Sequence, residues 1–325
     1  MRAVSAGLTV LVLAAAASWG GGEIVARGAS AAFAQLAAEG RGAVAQVSST
    51  GFPLHIGARL SGLKLYDPAA GLRWTVPSAQ VAAPLWAPLD WRADLEVPQE
   101  LEIGGQRFTL TATQAQGDLG LGLGADLPVR RAALRLGAPA LQADAASAPA
   151  LAAEALTLAA TGEGASYAID ATAQALSLPA GSAARFAPGA GLPDTIETVS
   201  AEGALDFAAP LALRQAVAPA LTGLRLDAAR IRWGGQEVSA SGQLAIDARG
   251  RPEGTINFAT KDWAGWLKVA VAAGLVRRDQ LPMLTSLGTY LAAQSPEGAV
   301  TVPLAFAGGL MSLGPVPLGP APVLR

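Results

Sequence analysis

The chain has 325 residues, of which 51% are hydrophobic, 5% aromatic and 15% charged, and its formal net charge at pH 7 is −2. A near-neutral chain gives no electrostatic support for binding a polyanion, so we expect no nucleic-acid partner. Cysteine is absent, which excludes disulfides, thiolate catalysis and zinc–thiolate sites. Because charged residues usually make up about 25% of a globular domain, either uncharged polar residues form much of this surface or another molecule covers apolar parts of it.

Residues 1–19 have the pattern of an export signal, with Arg2 followed by a run at 8–17 that is apolar apart from Thr9. As a membrane span, the segment is near the lower limit of roughly 17–25 residues. The position of Arg2 predicts that the rest of the chain lies outside the cytoplasm. We therefore expect an inner-membrane anchor with the bulk of the protein in the periplasm. The alternative is cleavage near the small residues 14–18 and release into the periplasm.

Residues 20–41 are interpreted as a juxtamembrane helix, one form of which is a direct continuation of the membrane helix. The better of its two apolar stripes carries Val25, Ala29, Phe33 and Leu36. Glycines at 40 and 42 end the helix.

Beyond residue 41 the period changes to two, and the clearest signals are hairpins with Gly-Gly turns. At Gly234-Gly235 the type I′ geometry predicts that Ile231 faces Val238 and that Arg232 faces Glu237. The same pattern recurs at Gly104-Gly105, where Leu101 is predicted to face Phe108 and Glu102 to face Arg107. A third Gly-Gly turn, at Gly308-Gly309, joins 299–307 to 310–313. The fold class predicted is mainly β with a few helices (α+β), with a long curled antiparallel sheet forming a groove or half-barrel over 42–325. The repeated turn chemistry also suggests two related halves, 43–180 and 181–325.

Other strands are predicted from alternation of apolar and polar residues. These strands span 43–49, 59–65, 72–76, 78–84, 134–136, 156–158, 167–178 and 198–207. Prolines at 84, 88 and 98 restrict any strands in 85–97 to short or edge strands. Residues 210–220 are assigned to a short helix.

A helical insert is expected near 262–293. Its first helix, 263–273, carries an apolar stripe of Trp263, Trp266 and Val271, and begins after Thr260 or Asp262 as N-cap. The stripe of the second helix, 280–293, is the set Met283, Leu284, Leu287, Tyr290 and Leu291. Both stripes are expected to pack on the sheet.

The segment GFPLHIGARLSGLKLYDPAAGLRWTVPSAQV at 51–81 resembles the alphaproteobacterial family called domain of unknown function 2125. The matching motifs are the Gly51-Phe52-Pro53 turn, the Asp67-Pro68 turn, and Trp74 on a strand leading to Pro77. The segments at 241–267 and 302–322 are similar to the C-terminal region of AsmA-like envelope proteins. The resemblance implies an inner-membrane-anchored, periplasm-facing β protein, and the larger AsmA-like relatives imply an apolar groove and phospholipid movement. It supplies no reaction and no catalytic residues.

No motif in the sequence predicts chemistry. The single histidine, His55, lies between Leu54 and Ile56 with no partner named by a motif, and is interpreted as a structural residue at the end of a strand. The glycines at 120, 122 and 124 do not form a G-x-G-x-x-G loop. We predict no catalytic residue, no metal site and no cofactor, and therefore not an enzyme.

The function predicted is that of a non-enzymatic, membrane-anchored periplasmic protein. It contacts the inner membrane through residues 1–19 and binds phospholipid in an apolar β-groove for envelope maintenance. The candidate groove residues are Trp74, Trp86, Trp91, Trp233 and Phe258. Of these, Trp86 and Trp91 lie in the proline-rich stretch and are expected to be the most exposed. The alternative is a structural or protein–protein interaction module of the envelope without a ligand. The sequence names no protein partner.

Overall fold

The computed structural model describes residues 22–324 apart from 39, 52, 68–70, 145–149, 187, 189–190, 216, 273, 275 and 296–297. The anchor predicted at 1–19 and parts of the two family turns, Phe52 and 68–70, therefore lie outside the described residues. The described chain is mainly antiparallel β with a few helices, which confirms the predicted fold class. None of its described helices is long and apolar enough to cross a bilayer.

Chain contacts divide the molecule into two units. Unit 1 ends at Glu163 and also takes in Pro210–Ala218, whereas unit 2 comprises Gly164–Ala209 and Pro219–Arg325. The predicted relationship between halves 43–180 and 181–325 stays a prediction.

Unit 1 contains one helix and twelve named strands among the described residues. These are α1 (Gly22–Ala38), β1 (Gly42–Ala43), β2 (Gln46–Thr50), β3 (His55–Asp67), β4 (Leu72–Pro84), β5 (Asp90–Leu95), β6 (Gln99–Ile103), β7 (Gln106–Thr111), β8 (Gln114–Leu121), β9 (Val129–Gly137), β10 (Ala140–Ala143), β11 (Leu151–Ala152) and β12 (Ala155–Glu163).

Unit 2 has three helices, a 3₁₀ turn and eight strands among the described residues. These are β13 (Ser166–Ser177), α2 (Ser182–Phe186), β14 (Thr195–Phe207), β15 (Leu221–Trp233), β16 (Gln236–Ile246), β17 (Pro252–Thr260), α3 (Trp263–Ala272), the turn Arg278–Gln280, α4 (Leu281–Gln294), β18 (Val300–Ala307), β19 (Leu310–Leu313) and β20 (Val316–Pro320).

Helix α1 packs on the sheet of unit 1 by the stripe that the sequence predicted. Ala29, Phe33 and Leu36 are 0%, 2% and 6% exposed, and the helix contacts β1, β2 and β3. Its hydrophobic periodicity therefore serves the core of unit 1, because burial of such a stripe supplies most of the stability of a single helix.

Strand β4 changes its outer neighbour at Pro77. Residues 72–75 pair with β6, and residues 79–82 pair with β5. Proline has no N–H to donate to a neighbouring strand, so it is tolerated where the ladder is interrupted. On its other side, β4 pairs with β3 before and after Pro77, but the register contains no pair between Pro77 and Gly62. Gly62 has φ +61°. The two predicted strands 72–76 and 78–84 are thus one bent strand.

The core of unit 1 is formed by the buried side chains of this sheet, and α1 packs on its β1–β3 part. Its fully buried side chains include Leu60, Leu63, Val76, Val81 and Leu119. Gln99 is also buried, and its side-chain oxygen accepts a hydrogen bond of 2.9 Å from the Trp74 indole N–H.

The three predicted Gly-Gly hairpins are confirmed, in the predicted register. Ile231 faces Val238, Leu101 faces Phe108, and Ala307 faces Leu310. Both glycines of each turn have positive φ, between +59° and +83°, as a type I′ turn requires. The Arg232 and Glu237 side chains lie 3.8 Å apart. In the β6–β7 hairpin Glu102 faces Arg107 as predicted, and it also lies 3.8 Å from Arg73 on β4.

The sequence misjudged several elements. The described part of 210–220 is irregular and not helical. It forms a strap whose main chain makes isolated hydrogen bonds to another segment, such as the one from the Leu213 N–H to the Leu127 carbonyl. Strand β5 is short as predicted, but it pairs with β4 on one side and β8 on the other and is not an edge. Helices α3 and α4 confirm the insert, yet Met283 and Tyr290 are 54% and 62% exposed and do not belong to the packed stripe.

Strands β14 to β17 bend together along a line of glycines. A Cβ on Gly203 would lie 2.1 Å from the Arg225 carbonyl oxygen, and one on Gly242 would lie 2.2 Å from the Thr255 oxygen. The strand register also shifts at this height in the sheet. The shift lies between Glu202 and Gly203 in the β14–β15 pairing and between Leu226 and Ala229 in the β15–β16 pairing. Bulges and close backbone approaches of this kind increase local twist and bend a sheet.

We expect Gly203→Ala to lower the free energy of unfolding by about 1–3 kcal/mol, because its methyl group would overlap a carbonyl that belongs to the sheet ladder. Hydrogen exchange of β14–β16 measures this directly. Gly223→Ala is the matched control, since its Cβ would meet only the flexible Asp206 side chain, at 3.1 Å. Equal exchange in the two variants would contradict the packing argument.

Asp118 on β8 joins three strands of unit 1. It accepts a hydrogen bond from Arg92 on β5 at 3.1 Å and forms a second ion pair with Arg135 on β9. Burial raises the pKa of the Asp118 carboxyl, but the hydrogen bonds and charges of the two arginines outweigh it and hold that pKa below its ordinary value of 3.8. A carboxyl with a lowered folded-state pKa stabilises the fold above its unfolded pKa and loses that contribution as the pH falls through the folded value.

Asp118→Asn should therefore lower the free energy of unfolding by about 1 kcal/mol at pH 7, the upper range for a surface ion pair. The difference from the unsubstituted protein should shrink as the pH falls below 3.8. Urea unfolding followed across this range tests it. Asp94→Asn is the control, because Asp94 accepts its bond from the neutral Gln116 amide. A loss at Asp118 that does not depend on pH would refute the ion-pair assignment.

Candidate functional site

One face of the sheet β13–β18 in unit 2 is apolar across all six strands. The pairing registers align its side chains in four rows. The rows are Ala173–Val199–Ile231–Val238–Thr260–Val300; Ala171–Ala201–Ala229–Ala240–Phe258–Val302; Ile169–Gly203–Leu226–Gly242–Ile256–Leu304; and Tyr167–Leu205–Leu224–Leu244–Gly254–Phe306. We call this the apolar face; its polar side-chain groups are the hydroxyls of Thr260 and Tyr167.

The apolar face is incompletely covered. Phe258 is 36% exposed, and Val302, Leu226 and Phe306 are half-buried. Tyr167, Leu244 and Ile256 are buried, which shows that the covering is uneven. An ordinary sheet core seals such positions, because each exposed apolar side chain forgoes about 25 cal/mol per Å² of burial.

A shallow trough runs across the middle of the apolar face. Ala171, Ala201, Ala229 and Ala240 form one row, which we call the alanine row, and all four are half-buried. Residues on one face of a strand are about 6.8 Å apart, so the flanking rows stand about 14 Å from each other. Each alanine has a larger apolar side chain on at least one side, namely Ile169, Val199, Ile231 with Leu226, or Val238, and Gly203 and Gly242 widen the low floor on β14 and β16. The alanine row is therefore the floor of a trough that runs perpendicular to the strands. Phe258 lies next to Ala240 on this row.

The helical insert packs against β18–β20 and reaches the turn of the β15–β16 hairpin. Val276, Leu284 and Val316 form a buried cluster, around which Leu267, Ala270, Val271, Leu287, Leu313 and Leu318 pack. Trp266 of α3 lies with its ring 6.4 Å from that of Trp233 at the turn of the β15–β16 hairpin. The insert thus seals one corner of the sheet core, as predicted for its stripes.

The opposite face of the same strands is polar and exposed, as Glu202, Arg230 and Asn257 show. Where the sheet bends, this polar face has an open depression of about 590 Å³. Its lining includes Gly242, Gly254 and an exposed ion pair of 2.9 Å between Arg225 and Asp227. Sequence reasoning missed this feature; two glycines inside strand patterns were the available signal.

Three aspartates of unit 2 have pKa values that are lowered by hydrogen bonds within the local fold. Backbone N–H groups of Ala183 and Gly181 hold the pKa of Asp194 below its usual value. The Arg251 N–H does the same for the pKa of Asp247, and the hydrogen bond from Arg277 lowers the pKa of Asp279. Each shift favours the charged form, whereas a buried general acid needs a raised pKa. No group of three potential metal-ligating side chains occurs in the described part of the chain.

His55 opens β3 as an exposed residue, consistent with the predicted strand end. Its ring centroid lies 6.0 Å from that of Trp86. The structure thus gives this histidine an aromatic neighbour.

The five predicted groove residues fall in both units. In unit 1, Trp74 is half-buried on β4, and Trp86 is 73% exposed in the β4–β5 loop. Trp91 is 2% exposed, so the expectation that it is exposed is wrong. It lies on the buried face of β5, and its strand partner on β8 is the buried Leu119.

In unit 2, Trp233 is 5% exposed, and its indole N–H donates to the Pro193 carbonyl at 2.7 Å. Phe258 is the predicted residue that lies in the four rows of the apolar face. Sequence reasoning did not identify the alanine row, although the clean alternation of Val300, Val302, Leu304 and Phe306 was already a signal for one edge of this face.

The chain matches the family model described as "Uncharacterized protein conserved in bacteria (DUF2125)" over residues 19–322. It therefore belongs to the DUF2125 family, as the resemblance at 51–81 indicated. Comparison with curated proteins and with solved structures gives no match.

Proposed function

We propose that this member of the DUF2125 family is a non-enzymatic periplasmic protein, held to the inner membrane by residues 1–19, that binds a phospholipid acyl chain on the apolar face of unit 2. The observation that carries the proposal is the half-exposed alanine row, in which each alanine has a larger apolar side chain on at least one side. The compartment and the role in envelope maintenance are part of the proposal and follow the expectation drawn from the sequence patterns at 1–19, 241–267 and 302–322.

The dimensions of the trough suit an acyl chain. The alanine row crosses the four strands β13–β16, whose outer axes are about 14 Å apart at the usual strand spacing. One leaflet of a bilayer is about 15 Å deep in hydrocarbon, so a single chain fits along the alanine row. Small floor residues leave room for the chain, and the flanking rows, for example Ile231 and Leu226, contact it from the sides.

The chemistry of the face favours hydrocarbon over other ligands. The inner strands pair on both sides, so their backbone donors and acceptors are satisfied within the sheet. Neither a peptide strand nor a sugar would find hydrogen bonds on this surface. Each buried methylene contributes about 0.8 kcal/mol, so ten of them would supply about 8 kcal/mol before the cost of ordering the ligand. That magnitude corresponds to reversible binding in the micromolar range or weaker.

Lipid should co-purify with the full chain, and Phe258→Glu should lower its occupancy at least about tenfold, since a carboxylate at the end of the trough would be desolvated. Native mass spectrometry of the protein released from nanodiscs measures the occupancy. Asn257→Glu is the matched control, because it places the same charge one residue away on the polar face.

Ala240→Leu tests the same site without a charge, because its side chain would fill the trough. It should also lower occupancy and leave the fold intact, as circular dichroism would show. An unsubstituted protein free of lipid, or one that retains lipid in both trough variants, would refute acyl-chain binding. A protein that occupies the face in place of lipid would favour the interaction-module alternative.

The anchor has its own test. We expect the chain to remain in membranes after alkaline carbonate extraction and to retain Met1 or Arg2 at its N-terminus, because residues 8–17 are apolar apart from Thr9. N-terminal sequencing of the resistant fraction provides the measurement. A carbonate-soluble protein that begins after residues 14–18 would show cleavage and secretion.

A further inference from the structure

Large apolar side chains are concentrated at one end of unit 1. Leu54, Leu85, Trp86, Leu123 and Val217 are 61%, 51%, 73%, 90% and 77% exposed. We call these five the apolar tip. Exposed apolar residues that occur singly need no explanation, but a cluster of them on a soluble surface marks a contact site.

Main-chain bonds show that the first three loops of the apolar tip are neighbours. The Leu85 N–H donates to the Leu54 carbonyl at 3.1 Å, which joins the β4–β5 loop to the turn before β3. The Leu121 N–H donates to the Leu89 carbonyl at 2.9 Å, which brings the β8–β9 loop alongside. Leu123 follows two residues later.

The strap at 210–218 completes the apolar tip. The Leu213 N–H donates to the Leu127 carbonyl at 3.0 Å, and the Arg214 N–H donates to the Asp126 carbonyl at 3.2 Å. Val217 lies three residues beyond, so four segments that are distant in sequence meet at one end of the sheet.

The charge around the apolar tip is slightly positive. Within 51–55, 84–91, 120–131 and 210–217 the charged side chains are Arg130, Arg131, Arg214, Asp90 and Asp126. Asp90 is already paired with Arg131 at 2.9 Å. Arg130 and Arg214 are exposed and outnumber the one remaining carboxylate, Asp126. A surface of this kind complements anionic lipid headgroups.

The N-terminal end of helix α1 faces the same end of unit 1. Its C-terminal Leu36 lies beside Gly42, which pairs with Leu65 near the far end of β3. Because the helix also contacts β2, which pairs with residues 57–61, it must run back towards His55. Gly22, the first described residue, therefore lies at the end of α1 that faces the apolar tip.

From these observations we infer that the apolar tip of unit 1 inserts into the interfacial layer of an anionic bilayer. Tryptophan and leucine on loops, with basic residues beside them, suit the boundary between headgroups and acyl chains. A protein partner would instead be expected to use a continuous groove or flat face, and these side chains come from four separate turns. The inference does not depend on acyl-chain binding by unit 2.

Because the chain has no native cysteine, single labels can locate the contact. Leu85→Cys and Leu123→Cys place an environment-sensitive NBD probe at the apolar tip. Ile103→Cys is the matched control: Ile103 is an apolar residue of the same unit, 46% exposed, beside the Gly104-Gly105 turn at the opposite end of β4. The full-length labelled chains are reconstituted into vesicles of equal parts phosphatidylcholine and phosphatidylglycerol, some carrying a doxyl quencher near the headgroup.

We expect severalfold quenching at positions 85 and 123 and none at 103. Adding Trp86→Glu and Val217→Glu should abolish quenching of the Leu123→Cys probe while the chain stays in the vesicle fraction through residues 1–19. Unquenched tip probes in vesicles would overturn the inference. Two further outcomes would also overturn it. If the tip probes become shielded from solvent in detergent in proportion to protein concentration, the surface belongs to a contact with a second copy of the chain. If they are shielded only in native membranes, the surface belongs to a contact with another protein.

Discussion

The register between neighbouring strands is the constraint on which the rest of unit 2 depends. A slip of one residue anywhere in β13–β18 would carry a whole strand's apolar side chains to the polar face. The β15–β16 register is fixed at Gly234-Gly235, where two positive φ angles close the hairpin without a loop that could lengthen or shorten. The facing pair Arg232 and Glu237 on the outer side would be broken by a slip. Bulges shift the partners at Leu226/Ala229 and yet keep both residues on the apolar face.

The second constraint is the glycine line at Gly203 and Gly242. It permits strands to approach so closely that no side chain fits between one strand and the next carbonyl. The same bend opens the depression on the polar face. Bending and the alanine row have a common effect, since both remove side-chain volume from the middle of the sheet. The low aromatic content of the chain, 5%, is consistent with a surface built for shallow relief and not for a thick interdigitated core.

The sequence predicted those features that local chemistry determines. Gly-Gly turns, the stripe of Ala29, Phe33 and Leu36, and the helical insert were all recognisable because their signals lie within a few residues. Trp91 was misjudged for the opposite reason. It shares a proline-rich segment with Trp86, but strand pairing of β5 on both sides buries one tryptophan and leaves the other at the loop. No periodicity in the segment itself distinguishes the two, because burial there depends on β8, whose glycine-rich sequence concealed a strand.

The alanine row and the apolar tip were hidden from sequence analysis for a related reason. Each consists of residues from strands or loops that are far apart in the chain, and each member alone is ordinary: an alanine in a strand or a leucine in a turn. In the alanine row the small side chain is the informative feature, although alanine is so frequent here that it conveys little locally. At the apolar tip, Val217 is brought to the same end of the sheet as Leu54 because the strap at 210–218 bonds to the β8–β9 loop. In both places the fold brings together apolar residues that are far apart in the sequence. Only this proximity makes them a continuous apolar surface, which no single segment of the chain predicts.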